Sequence, residues 1–157
     1  MSEGRVVRNG EGDVYDTAWI FKHGARTGGP FDFMIGSLNY LTGPPLHVHR
    51  EQHDSFYVLE GVLTFQLGEE VFELQPGDFV SAPPGVPHTF DNTKKDGPPV
   101  KVCNILTPAG FDQFMVRLGE LGSASEDPAV FAAAAETFGT IMVGPTLAEK
   151  FGLGASG

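Results

Sequence analysis

The sequence predicts an all-β domain, a sandwich or barrel, followed by C-terminal helices. Short runs of alternating apolar and polar residues recur about every eight to twelve positions, separated by turn residues, as far as residue 106. Gly (21) and Pro (12) are scattered without a short repeat, as in a turn-rich globular protein. After Pro108 the apolar spacing changes from that of strands to that of a helix. A chain of 157 residues holds one sizeable core, so a single domain is expected.

Residues 1–30 are polar and Gly-rich and read as an arm with an edge strand. Residues 31–41 form a strand whose period of two puts Phe31, Phe33 and Ile35 on one face. Gly43-Pro44-Pro45 ends it, and strands at 46–49 and 55–60 follow around the polar connector 50–53. Gly61 is a turn position. Residues 62–67 and 71–74 make a hairpin about Gly68-Glu69-Glu70, and Pro76-Gly77-Asp78 turns the chain into a strand at 79–82. A proline-rich bend at 83–87 leads to a strand at 88–91, and residues 100–106 are the last strong strand of the barrel, taken as 31–107. In the segment 108–157, expected to pack on the barrel, Phe111, Phe114, Met115, Leu118 and Leu121 mark one face of a helix. A second helix opens near Pro128 with Ser125 as its cap and closes at Gly139, and a third short one covers 146–151.

Lys and Arg total 10 against 20 Asp and Glu, for a net charge of -10, which repels nucleic acid and anionic membranes. No apolar stretch approaches the roughly 20 residues of a membrane span, and the first residues lack a signal-peptide core. Cys103, the single cysteine, cannot form an intrachain disulfide and suits a reducing compartment. A cytoplasmic protein with a small-molecule substrate is the expectation.

The histidines carry the chemistry. His47 and His49, two apart on a strand, leave the same face and can share one metal ion. Asp54 returns to that face beyond the connector, and the proline-rich bend aims His88 rigidly. Three imidazoles and a carboxylate suit one divalent first-row ion: Fe, Mn, Ni, Co, Cu or Zn.

The stretch 43–61, with His47-Val48-His49, Asp54 and Gly61, resembles the first motif of the cupin superfamily. Gly77, Pro83, Gly85, His88 and Asn92 match every fixed position of the second. The resemblance implies a double-stranded β-helix, or jelly-roll barrel, with His47, His49, Asp54 and His88 as metal ligands. It departs from the pattern twice: Gly43 stands closer to His47 than the motif's leading Gly does, and Asp54 stands where the family has Glu. His53 competes for the ligand position, although strand phase favours Asp54, because Phe56 and Val58 then point inward with it. Glu51, on the connector, is a further acid–base candidate, with a solvated loop charge the commoner case.

The chain looks most like small cupins grouped with quercetin 2,3-dioxygenase, through residues 54–61 and 83–88. That group implies metal-dependent ring cleavage with Asp54 as general base; a non-oxidative isomerase or lyase and a non-catalytic binding module are the alternatives. Alternate residues of a barrel line its interior, so Phe33, Phe56, Val58, Phe79, Phe90 and Cys103 are the candidate pocket, suited to an aromatic or apolar ligand. Exposed strand edges lead to the expectation of a homodimer with the N-terminal strands in the interface.

Overall fold

In the computed structural model, which describes residues 4–16 and 19–154, eleven strands form two antiparallel sheets. In chain order they are β1 (Asp13–Asp16), β2 (Trp19–His23), β3 (Asp32–Leu38), β4 (His47–His49), β5 (His53–Glu60), β6 (Leu63–Leu67), β7 (Glu70–Leu74), β8 (Phe79–Ala82), β9 (His88–Asp91), β10 (Val100–Thr107) and β11 (Thr140–Met142). One sheet has the order β1-β2-β3-β10-β5-β8 and the other β11-β4-β9-β6-β7. Phe56, Val58, Leu63, Phe65, Phe90, Val100 and Val102 are buried together in the core cluster they share. No helix among the described residues is long and apolar enough to cross a membrane.

Strand phase decides what faces this core. On β5, Asp54, Phe56 and Val58 are buried, whereas His53, Tyr57 and Leu59 are exposed. On β10, Val100, Val102, Asn104 and Leu106 are buried. Gly61 takes φ 77 after β5, and a Cβ there would stand 2.5 Å from the Pro99 carbonyl oxygen, so both backbone angle and space require glycine.

On β3 the phase is opposite to the sequence expectation. Asp32, Met34, Gly36 and Leu38 face inward, and Phe33 and Ile35 face out. Two features account for the difference. A Cβ on Gly36 would stand 2.2 Å from Trp19 Cζ3, so the indole fills the space this inward glycine leaves. Asp32 Oδ2 accepts hydrogen bonds from the backbone N–H groups of Gly110 (3.0 Å) and Phe111 (2.8 Å), capping a distant helix.

That helix is α1 (Phe111–Leu121), followed by α2 (Pro128–Thr137) and, after β11, α3 (Leu147–Phe151). The expected stripe holds: Phe111 and Met115 pack on Phe21, Met34 and Leu106. Asp127, not Ser125, caps α2, accepting from Ala129 N–H at 2.8 Å, while the Ser125 hydroxyl donates back to the Gly122 carbonyl. The N-terminal segment gives two strands rather than one, and β11 joins β4 where only helices were expected.

Asp32 and Asp112 are both buried, and each has an Oδ1 without a partner. Burial, with the Asp112 charge adding to it, pushes the Asp32 carboxyl from 3.8 up to about 6. A carboxyl that holds its proton more tightly when folded makes stability fall as pH rises from about 4 to about 6. Asp32→Asn keeps the acceptor for Gly110 and Phe111 and removes a buried negative charge. Urea unfolding at pH 8 should show this variant about 1–3 kcal/mol more stable, the cost of burying that charge without full compensation. A variant less stable than the wild type at pH 8 would show that the carboxylate's charge is needed at the helix end.

Candidate metal centre

β4 is three residues long, and the alternation of its side chains sends His47 and His49 inward and Val48 away. The preceding segment is pinned against β9: Gly43 N–H donates to Asp91 Oδ1 at 3.0 Å, and a Cβ on Gly43 would collide with the Phe90 carbonyl. His47 pairs directly with His88 across β4 and β9. Asp54 enters from the opposite sheet, on β5.

Each imidazole is oriented through Nδ1. His47 Nδ1 lies 2.8 Å from the Pro45 carbonyl oxygen, and His88 Nδ1 lies 3.0 Å from that of Val86, each bond reaching two residues back. His49 Nδ1 lies 2.8 Å from Thr140 Oγ1, supplied by β11. Carbonyls only accept, so His47 and His88 carry a proton on Nδ1 and turn Nε2 toward the site. Asp54 Oδ2 is 3.1 Å from His49 Nε2 and 3.0 Å from His88 Nε2, and its Oδ1 accepts from Asn104 Nδ2 at 2.6 Å. All four residues are buried, and one ligand atom from each lies within 4.8 Å of the others.

Two acceptors 3.0 Å apart repel, so the contact of His88 Nε2 with Asp54 Oδ2 calls for a cation, a proton or a metal ion. Burial and the neighbouring imidazoles push the His47 pKa down to about 3, which leaves its Nε2 lone pair free for a metal. Burial by itself would raise the Asp54 carboxyl, but the imidazoles at Oδ2 more than reverse this and keep it ionised. Donors bonded to one ion at about 2.1 Å are about 3.0 Å apart at right angles, as the His–Asp54 distances are. The donor set therefore fits a divalent metal.

His53 sits on the exposed face of β5 and is separate from this cluster. Of the candidate pocket residues, Phe56, Val58 and Phe90 point inward, but they pack on one another, with Phe56 and Phe90 rings 4.7 Å apart. Phe33, Cys103 and Phe79 are on the outer face of their sheet, Phe79 with 63% exposure, so they line no interior pocket. The β3 phase explains Phe33, and the register with Ile35 carries Cys103 out with it. Tyr57, on the exposed face of β5, pairs with Phe79.

Two residues of the centre were not singled out from the sequence. Asn104 stands as a polar residue at an inward position of an otherwise apolar strand, a signal that was present. Thr140 gave none, because its role depends on β11 returning after two helices. The Phe111 ring stands edge-on to His49, centroids 5.9 Å apart, and covers it from the side of α1. Next to this wall is a cavity of about 380 Å³ lined by Arg50, Glu51, Gln52, Gln113 and Glu136 together with residues 108–110 and 137–139. Arg50 Nη2 and Glu136 Oε1 pair across it at 3.3 Å.

Residues 40–106 match the family model of the cupin domain. These residues are a cupin domain. Two antiparallel sheets closed on each other give it the double-stranded β-helix of that superfamily. Quercetin 2,3-dioxygenase of Bacillus subtilis (strain 168) is 34% identical over 89 residues, 54% of this chain and 26% of that enzyme. An uncharacterized protein of Methanocaldococcus jannaschii is 38% identical over 47 residues, 30% of this chain and 38% of that protein. The chain thus spans well under two thirds of either relative. KdgF from Halomonas sp. superposes with a TM-score of 0.60 at 21% identity, covering 71% of this chain and 99% of that one. At these identities the cupin domain's likeness to solved structures is one of fold.

Proposed function

We propose that this cupin is a metal-dependent enzyme acting on a small organic molecule, a dioxygenase of the quercetinase kind. The observation that carries the proposal is the convergence of the three imidazoles and the ionised Asp54 carboxylate on one buried point. The partial identity to a quercetin 2,3-dioxygenase supports the choice of reaction. His47, His49, His88 and Asp54 would hold the ion, which supplies Lewis acidity and one-electron chemistry when bound. Asp54 Oδ2 is the atom placed to take a proton from a substrate hydroxyl, and Asn104, bonded to Oδ1, fixes its direction. The packed rings of Phe56, Phe65 and Phe90 keep water from the far side of the site.

The polar cavity favours a second reading. Its lining of Arg50, Glu51, Gln52, Gln113 and Glu136 suits a hydroxylated or charged molecule better than a flavonol, and such a substrate suits isomerase or lyase chemistry by proton transfer alone.

The test is elemental analysis of protein purified without chelators, followed by oxygen uptake with flavonol, catechol and enol probes. About one equivalent of a redox-active metal with oxygen consumed is the expected result. Stoichiometric Zn without oxygen uptake selects the second reading, and protein that takes up no metal overturns both.

A further inference from the structure

The first turn of α1 has the polar cavity on one side and the metal centre on the other. Gly110 and Gln113 line the cavity, whereas Phe111 between them turns its ring edge-on to His49, 5.9 Å away. Gly110, just before the helix, takes φ 143, and a Cβ there would meet nothing within 4 Å. A glycine in open space is where a chain pivots most easily. The hydrogen bonds that fasten the turn to the rest of the fold pass through two carboxyls. Asp32 Oδ2 accepts from the N–H groups of Gly110 and Phe111, and Asp112 Oδ2 accepts from Arg26 N–H at 2.9 Å. The two side chains meet at Gly24, where a Cβ would stand 2.5 Å from Asp112 Oδ2 and 2.9 Å from Asp32 Oδ1. Both carboxyls are buried, and their Oδ1 atoms are the buried side-chain atoms left without a partner among the described residues. Lifting the turn carries Asp112 away from Asp32 and lets water reach both, which recovers what burying the pair costs.

We propose that the first turn of α1 is a gate between the cavity and the metal centre, hinged at Gly110 and held loosely by the Asp32–Asp112 pair. The gate rests on the reading that a small molecule reaches the four donors, all of them buried. Opening lifts Phe111 off His49 and joins the cavity to the centre. Other charges nearby do not relieve the pair. From the turn Ala25–Thr27, the Arg26 guanidinium reaches out to the Tyr15 hydroxyl of β1 at 2.6 Å, with Asp13 beside them. On β10 the register partner of Asp32 is Leu106, and on β2 the His23 ring lies against Phe31, centroids 4.6 Å apart. Asp112 is therefore the charge that adds to burial in raising the Asp32 carboxyl to about 6. A proton on Asp32 keeps the gate shut at about pH 4. Its loss on the way to about pH 6 eases opening by up to about a hundredfold, tenfold for each unit.

Hydrogen exchange and carbethoxylation at pH 8 test the gate. Amides of residues 110–114 should exchange at least about tenfold faster than those of β5, because the turn opens on its own. Asp32→Asn should slow them by about five- to a hundredfold. Asp112→Asn leaves the acceptor for Gly110 and Phe111 in place and should act in the same direction. In chelator-treated protein, diethyl pyrocarbonate should modify His49 more slowly in both asparagine variants and faster in Phe111→Ala, while the exposed His53 reacts equally in all. A first turn that exchanges no faster than β5 overturns the proposal, as does one that both asparagine variants leave unchanged or faster. His49 modification that ignores these substitutions overturns the link to the metal centre. Neither readout needs bound metal, so a chain that takes up none overturns the proposed function and not the gate.

Discussion

His49→Ala/His88→Ala is expected to purify with less than about a tenth of an equivalent of metal, against about one for the wild type. Removing both imidazoles leaves His47 and Asp54, and Asp54 loses both nitrogens that face its Oδ2. Either single variant keeps three donors and should retain part of the metal, so the double variant gives the decisive reading by elemental analysis. Thermal unfolding gives a second measure. Metal at about a thousand times its Kd stabilises the wild type by about 4 kcal/mol, and at about 2–4 °C per kcal/mol its Tm should rise by about 8–16 °C. The double variant should show no rise. Stoichiometric metal, or a Tm that still climbs with added ion, would place the binding site elsewhere.

Asp54→Ala should weaken metal affinity by about ten- to a hundredfold, read by competition with a chromophoric chelator. The effect on turnover should be larger still, because the same oxygen is the one placed to accept a proton. Asp54→Glu is informative in the opposite direction. Asp54 already reaches two nitrogens at 3.0 and 3.1 Å while its other oxygen is held by Asn104, so the strand sits close enough for the shorter side chain. A glutamate side chain overshoots by roughly one bond, about 1.5 Å, among buried neighbours. The Asp54→Glu variant should therefore bind metal more weakly than the wild type, although the family's usual residue is Glu. Tighter metal binding by that variant would show that β5 can retreat. An Asp54→Ala variant with unchanged affinity and activity would make the carboxylate a bystander.

Much of the centre was legible because its signals are local. His47-Val48-His49 needs only strand alternation, and the position of Asp54 follows from Phe56 and Val58 on the same strand. The interior was legible in part: Phe56, Val58 and Phe90 alternate as expected, and they fill the barrel rather than line a cavity. The errors come from long-range terms. On β3, Asp32 and Gly36 look like outward residues until one knows that a helix 79 positions away needs a cap and that Trp19 fills the glycine's space. Cys103 and Phe79 follow that sheet's register. Thr140 became visible only when β11 came back to pair with β4.

The contribution of β11 also sets an order in time. The bond between His49 and Thr140 spans 91 residues, whereas that between His88 and Asp54 spans 34 and that between His49 and Asp54 only 5. Closing the longest of the three loops costs about 0.9 kcal/mol more than closing the middle one, and it cannot begin until residue 140 exists. On the ribosome, at about 5–20 residues per second, roughly 3–10 s separate the emergence of His88 from that of Thr140. For those seconds the four donors are all present while one imidazole still turns freely. A nascent chain therefore exposes His47, His49, Asp54 and His88 before the bond that orients His49 can form.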